Sequence, residues 1–201
     1  MNKTAELVGL WAAYEAKHPK AGLKDFCRTY LAEQEEAGAP GFWMSPVPPD
    51  GISLLTKLMG RIAKLHSIYA VTAFKECGIN SFDEFLYLNS IGSTQELRKT
   101  EAITANFNEL SSGLLIIDRL IKAKLVAEQP DKDDKRSKRL QITQKGLQVL
   151  ESCYAKLAEI NQQCFGGLSE EQVKLCTQLL QPVELFLAEK WLEGKKKQVI
   201  K

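Results

Sequence analysis

The sequence predicts a mainly α-helical chain with one small β-hairpin: a helix-turn-helix lobe with further helices before and after it. Three observations carry this expectation. Apolar residues recur at helical spacing through most of 4–191. That period gives way to strand-like alternation only around 125–143. Two short helical segments joined by a brief turn stand directly before the change.

Residues 4–37 read as two short helices. Thr4 is expected to cap the first, which carries Leu7, Leu10, Trp11 and Tyr14 on one face and ends at Pro19. Leu23, Phe26, Tyr30 and Leu31 form the stripe of the second. Residues 38–51, GAPGFWMSPVPPDG, are too rich in Pro and Gly for a helix or a central strand and form a linker. Its Phe42, Trp43 and Met44 either pack on a neighbouring surface or meet a partner or ligand.

Residues 52–79 predict a long helix, with Leu55, Leu58, Ile62, Leu65 and Tyr69 in a continuous stripe and Leu54, Ile68 and Val71 off it. At ~1.5 Å per residue it spans ~40 Å, more than a small lobe needs, and two apolar faces suggest packing on its own lobe and on a second chain. Ser81 caps the next helix, which carries Phe82, Phe85, Leu86 and Leu88 and ends at Gly92. A helix from about Thr100 to Asn106 and another starting between Glu109 and Ser111, with Leu114, Ile117, Leu120 and Ile121 buried and Leu115 and Ile116 facing the other side, outline a helix-turn-helix.

Leu125 to Gln129 then reads as a strand stopped by Pro130, and Arg139 to Thr143 as its return. The segment DKDDKRSKR between them holds five basic and three acidic residues in nine, a charged wing after the second helix of the motif. Two helices finish the chain. Leu147, Leu150, Tyr154, Leu157 and Cys164 line one face of the first; Ser169 and Gln172 form a capping box for the second, with Val173, Cys176, Leu180, Val183 and Leu187 as its stripe and Pro182 expected to kink or divide it. A short basic tail, GKKKQVIK, follows.

Composition narrows the function. The chain has 201 residues, 44 % hydrophobic and 26 % charged, which fits one domain or one domain with an appendage. No apolar run approaches the ~18 residues of a membrane span, and the start lacks the layout of a secretory signal, so a soluble cytoplasmic protein without membrane partners is expected. A net charge of +2 excludes a uniformly basic nucleic-acid coat. Cys27, Cys77, Cys153, Cys164 and Cys176 include no CxxC pair, and His18 and His66 are the only histidines, so no zinc or other metal site is expected. Phosphate-loop, dinucleotide, nucleophile-elbow and HExxH motifs are missing, so neither an enzyme nor a cofactor is expected. Cys153 and Cys164 lie on one helical face and read as buried small hydrophobes.

The block IIDRLIKAKLVAEQPDKDDKRSKRLQITQKG resembles the recognition helix, wing and post-wing segment of MarR-family transcription regulators. The family's D-R-L, G-L-V, D-x-R and L-T-x-x-G are matched by Asp118-Arg119-Leu120, Lys124-Leu125-Val126, Asp134-Lys135-Arg136 and Ile142-Thr143-Gln144-Lys145-Gly146. The likeness is dense from Glu96 to Leu150, plausible in helix order over 52–191, and does not reach residues 1–50.

The resemblance implies a winged helix-turn-helix lobe at 81–143 between a long dimerisation helix at 51–80 and dimerisation helices with a basic tail at 144–201, after an extension at 1–50. It implies a homodimer on pseudo-palindromic double-stranded DNA, most often as a repressor, and release by a small aromatic ligand. Ser111 and Ser112 match the small-polar pair at the start of the recognition helix, where they contact DNA or only cap the helix. Gly113 permits close approach to DNA or close helix packing. Leu115 stands where the family has a polar or basic residue, and meets thymine methyl groups or lines a pocket. Arg136 is placed in the minor groove with Asp134 holding its guanidinium, and Lys132, Lys135, Lys138 and Arg139 serve phosphates. Arg98, Lys99 and Asn108 are weaker phosphate candidates, and His66, Tyr69 and Phe74 are candidate ligand contacts. The alternative is a winged-helix protein-interaction module that has lost specific DNA binding, with the hairpin as a solvated charge run.

Overall fold

The computed structural model describes residues 2–34, 50–94, 96–131 and 138–199. The linker aromatics Phe42, Trp43 and Met44 and the wing-tip residues Lys132, Asp134, Lys135 and Arg136 lie outside the described residues. The chain divides into two units, Met1–Lys57 and Leu58–Lys201.

In the first unit, α1 (Lys3–Lys17) is capped by Asn2, whose side chain accepts from the Thr4 N–H at 3.0 Å. The cap is thus two residues earlier than expected: Asn2 takes the extended backbone of a cap and Thr4 is already helical. Helix α2 (Leu23–Gln34) buries Phe26, whose ring meets Trp11 edge-on at 5.4 Å and Tyr14 at 5.5 Å. At the start of α3 (Gly51–Phe74), Asp50 accepts from the Ser53 N–H at 2.9 Å and the Ser53 hydroxyl at 2.7 Å, and these bonds hold its carboxyl below the ordinary range.

The second unit holds the main core. Helix α3 stops at Phe74, earlier than its periodicity suggests, because a 3₁₀ turn at Lys75–Cys77 and Gly78, at φ 81°, close it off. Ser81 caps α4 (Phe82–Ser93), accepting from the Glu84 N–H at 3.0 Å. Gly92 lies inside α4 rather than at its end, and a Cβ there would come within 2.9 Å of Leu150 and 3.1 Å of Ile142. It is therefore a packing glycine, not a stop signal. Strand β1 (Leu97–Arg98), which periodicity over two residues cannot reveal, leads into α5 (Lys99–Ala105) and α6 (Leu110–Lys122). Strands β2 (Val126–Pro130) and β3 (Lys138–Ile142) pair antiparallel with Val126 opposite Ile142, and β3 also pairs with β1, Leu97 opposite Leu140. The hairpin is thus part of a sheet of three strands in the order β1-β3-β2.

Helix α6 ends in a Schellman motif: Leu125 N–H bonds Leu120 O at 3.0 Å, Lys124 N–H bonds Ile121 O at 2.9 Å, and Lys124 takes the left-handed conformation at φ 61°. This is the position where the resembled family has glycine, so lysine keeps the turn at some conformational cost. Thr143 caps α7 (Gln144–Phe165), accepting from the Gly146 N–H at 3.0 Å. Gly146 faces the Leu125 carbonyl so closely that a Cβ would stand 2.1 Å from its oxygen, which locks the hairpin base to α7.

Helix α8 (Glu170–Val199) carries the expected Ser169–Gln172 box and runs undivided through Pro182. The core joins Phe74, Phe85, Tyr87, Leu88, Ile103, Ile117, Leu120, Leu140 and Cys153. Ile116 belongs to it too, contrary to the expectation that it faces away, because α5 and α4 flank α6 on two sides. Cys164 is exposed, unlike Cys153, since α7 has run past the lobe by then. Among the described residues no helix is long and apolar enough to cross a membrane.

Candidate nucleic-acid interface

The start of α6 is presented outward by a buried anchor. Gly113 is buried, and a Cβ on it would come within 2.5 Å of both the Ile103 side chain and the Tyr87 hydroxyl. The glycine is therefore a close-packing residue, the second of its two readings. By pressing the first turn of α6 onto α5 and α4 it turns Ser111, Ser112 and Leu115 outward, where all three are exposed, Leu115 at 65 %.

The N-cap of α6, Glu109, has extended backbone and its side chain makes no capping bond. The helix's own ladder begins with Gly113 N–H to Glu109 O at 2.9 Å, so the N–H groups before it have no acceptor within the helix. Such an end attracts an anion. Asn108 donates to the Tyr87 hydroxyl at 3.3 Å, which ties the turn to α4, while burial pushes the Tyr87 phenol up. That bond competes with any contact Asn108 makes to phosphate.

The described cations along the hairpin strands are largely engaged within the protein. Asp131, buried at 2 % exposure, is met by Arg98 Nε at 3.1 Å and Arg139 Nε at 3.0 Å, and Arg139 Nη1 donates to Glu96 O at 2.9 Å. Lys99 and Lys138 each lie 2.5 Å from a Glu128 oxygen, and Lys99 is 3.9 Å from Asp118. The hydrogen bonds from Lys138 and then Lys99 hold the Glu128 carboxyl below its ordinary range. These pairs tie β1 and the start of α5 to the strands of the hairpin. Sequence reasoning missed Asp131 and Glu84 as the acids of this frame. Glu84 is buried, accepts from the Asn80 N–H at 2.8 Å and holds Arg119 of α6 at 3.1 Å. The Ser81-x-x-Glu84 spacing was the available signal for it.

The candidate ligand contacts separate. Phe74 is fully buried against Phe82 and Phe85 at 6.2 and 4.9 Å and belongs to the core. Tyr69 is 54 % exposed. His66 lies between them in character: its Nε2 is 2.8 Å from Asn161 Oδ1, and its ring meets Phe82 and Phe165, each at 5.9 Å. Among the described residues no cluster of three or more His, Cys, Asp or Glu suits a metal ion.

Residues 81–146 match the family of winged helix DNA-binding domains. In overall fold the chain is similar to the transcriptional regulator SlyA, at TM-score 0.63 and 23 % identity over 70 % of this chain and 98 % of that one. It is similar to a mutant MarR from E. coli complexed with operator DNA, at TM-score 0.61 and 21 % identity over 66 % and 94 % of the two chains. A MarR family transcriptional regulator from Listeria monocytogenes complexed with 26mer DNA matches at TM-score 0.63 and 24 % identity, over 70 % and 93 %. No curated protein sequence matches.

Proposed function

We propose that this chain, which has a winged helix domain at 81–146 and the fold of the MarR and SlyA regulators, is a transcriptional regulator that binds double-stranded DNA as a homodimer. The observation that carries the reading is the exposed first turn of α6, held out by the buried Gly113. In this reading Ser111 and Ser112 meet phosphate or base edges and Leu115 meets thymine methyl groups in the major groove. Arg136, steadied by Asp134, enters the minor groove beside it, with Lys132 and Lys135 on phosphates. Arg98, Lys99, Lys138 and Arg139 shape the hairpin first and face phosphates second, given their pairing with Asp131 and Glu128.

Homodimerisation is supported by the apolar stripes that the second unit leaves uncovered, Leu58, Ile62 and Leu65 on α3 and Val183, Phe186 and Leu187 on α8. A two-fold dimer sets its recognition helices ~34–36 Å apart, the spacing of successive major-groove faces, and calls for a pseudo-palindromic operator. Repression is the mode that the family resemblance favours, in the cytoplasm, with a small aromatic ligand at the His66–Phe82–Phe165 face shifting the balance between bound and released forms. One observation favours a second reading, a protein-interaction module: an exposed leucine on α6 above cations already paired with carboxylates.

Capture of genomic fragments by the purified protein at two salt concentrations tests the proposal. Enrichment of a pseudo-palindrome that falls steeply with salt is expected. Salt-insensitive capture, or none, overturns it in favour of the interaction module.

A further inference from the structure

Helix α8 does more than expose an apolar stripe. At ~1.5 Å per residue its 30 residues span ~45 Å against ~33 Å for the 22 residues of α7, so after the turn at 166–169 it has the length to return to the lobe. Its last turns meet the α5–α6 turn. Trp191 lies edge-on to Phe107, with ring centroids 6.4 Å apart and planes at 78°. Lys195 Nζ bonds both carboxylate oxygens of Glu109, at 2.8 and 2.7 Å, and sits 4.6 Å from the centre of the Trp191 ring.

Both targets are unusual on their own. Phe107 adopts φ 53°, a left-handed conformation that a bulky side chain rarely takes, and it does so to close a second Schellman motif: Asn108 N–H bonds Ile103 O at 3.2 Å and Phe107 N–H bonds Thr104 O at 3.1 Å. Such a residue persists where its surroundings hold it, and Trp191 is the ring that meets it from outside the turn. The Trp191 Nε1 is buried without a hydrogen-bond partner, so the indole is seated for its ring contacts and not for its N–H. Glu109 precedes the exposed serines and its carboxylate makes no cap on α6, although a helix start would attract it. It is paired with Lys195 instead.

We propose that Trp191 and Lys195 form a clasp that positions the recognition helix for DNA: Trp191 fixes the strained turn, and Lys195 removes the Glu109 charge from the place a phosphate must occupy. The clasp rests on the DNA-binding reading above. An unpaired Glu109 would oppose the phosphate backbone and compete for the free N–H groups of the first turn. Lys195 and Trp191 are positioning residues, acting on DNA through Glu109 and Phe107.

The test is anisotropy of a labelled mixed-sequence duplex at low salt, with the full chain and its variants. Lys195→Ala weakens binding by about fivefold, Lys195→Arg restores it, and Glu109→Gln in the Lys195→Ala chain restores it as well. If Glu109→Gln gives no rescue and the salt slope falls by about one, Lys195 contacts phosphate directly and the clasp is overturned. Unchanged affinity in Lys195→Ala overturns it equally. A second readout needs no DNA: in a chain carrying Trp11→Phe and Trp43→Phe, Lys195→Ala shifts the emission of Trp191, and an unmoved spectrum contradicts the contact. Should the unaltered chain bind no duplex at all while the emission still shifts, the DNA-binding reading has failed and the contact is structural only.

Discussion

The lobe and the long helices around it carry the same apolar periodicity with opposite results. In α6 the stripe is covered: Ile117 is 0 % exposed and Leu120 2 %. In α3 the stripe is open, with Leu58 at 41 %, Ile62 at 46 % and Leu65 at 48 %. Periodicity reports that a helix has a face to hide, and it leaves unsaid which surface hides it. The lobe hides its own faces within 70–153; the stripes of α3 and α8 stay open in the single chain and are the faces that the proposed dimer would cover.

The largest effect expected from this contrast is on stability. Ile117→Ala should cost ~2–5 kcal/mol in a denaturant titration, as truncations of fully buried side chains do. Leu65→Ala should cost ~0.5 kcal/mol or less in the isolated chain, like other surface changes, while shifting sedimentation from dimer towards monomer. Equal costs for the two variants, or an unaltered protein that sediments as a monomer, would remove the distinction. Next in size is Gly113→Ala. Its Cβ would stand 2.5 Å from Ile103 and Tyr87, so overpacking of ~1–3 kcal/mol is expected, together with weaker DNA binding as α6 shifts. A variant as stable as the original would show that the α5–α6 contact is loose.

The smallest effect concerns the hairpin. Lys138 and Lys99 hold the Glu128 carboxyl below its ordinary 4.5, so its stabilisation is complete above that value and is lost as pH falls through the depressed one. Glu128→Gln should therefore lower stability at pH 7 slightly and flatten the acid limb of the melting-temperature profile below pH 4.5. An acid limb identical in both proteins would mean that the two lysines do not favour the carboxylate in solution.

Much of this was readable in the residues. The helix order, the helix-turn-helix and the returning strands follow from period changes that local sterics enforce, and Ser81 and Ser169 announce their caps directly. What escaped has physical reasons. Strand β1 is two residues long and exists because Leu97 pairs with Leu140, a contact 43 positions away in the chain. Gly92 looked like a stop because glycine ends helices, yet here Leu150 and Ile142 occupy the space a side chain would need. Arg98 and Lys99 looked like phosphate cations because their acidic partners, Asp131 and Glu128, are brought beside them only by the fold. The Lys195–Glu109 pair was invisible for the same cause, spanning 86 positions.

If the first turn of α6 faces DNA, a Ser112→Glu chain loses affinity for it without losing its fold. Ser112 is exposed in that first turn, where a carboxylate favours the helix itself by ~0.3–1 kcal/mol. Thermal stability should therefore stay the same or rise slightly, while affinity for the captured duplex at low salt falls by about tenfold or more through repulsion from phosphate. Unchanged affinity in a folded Ser112→Glu protein would show that this turn does not face phosphate, because a carboxylate there cannot be without cost if phosphate is bound beside it.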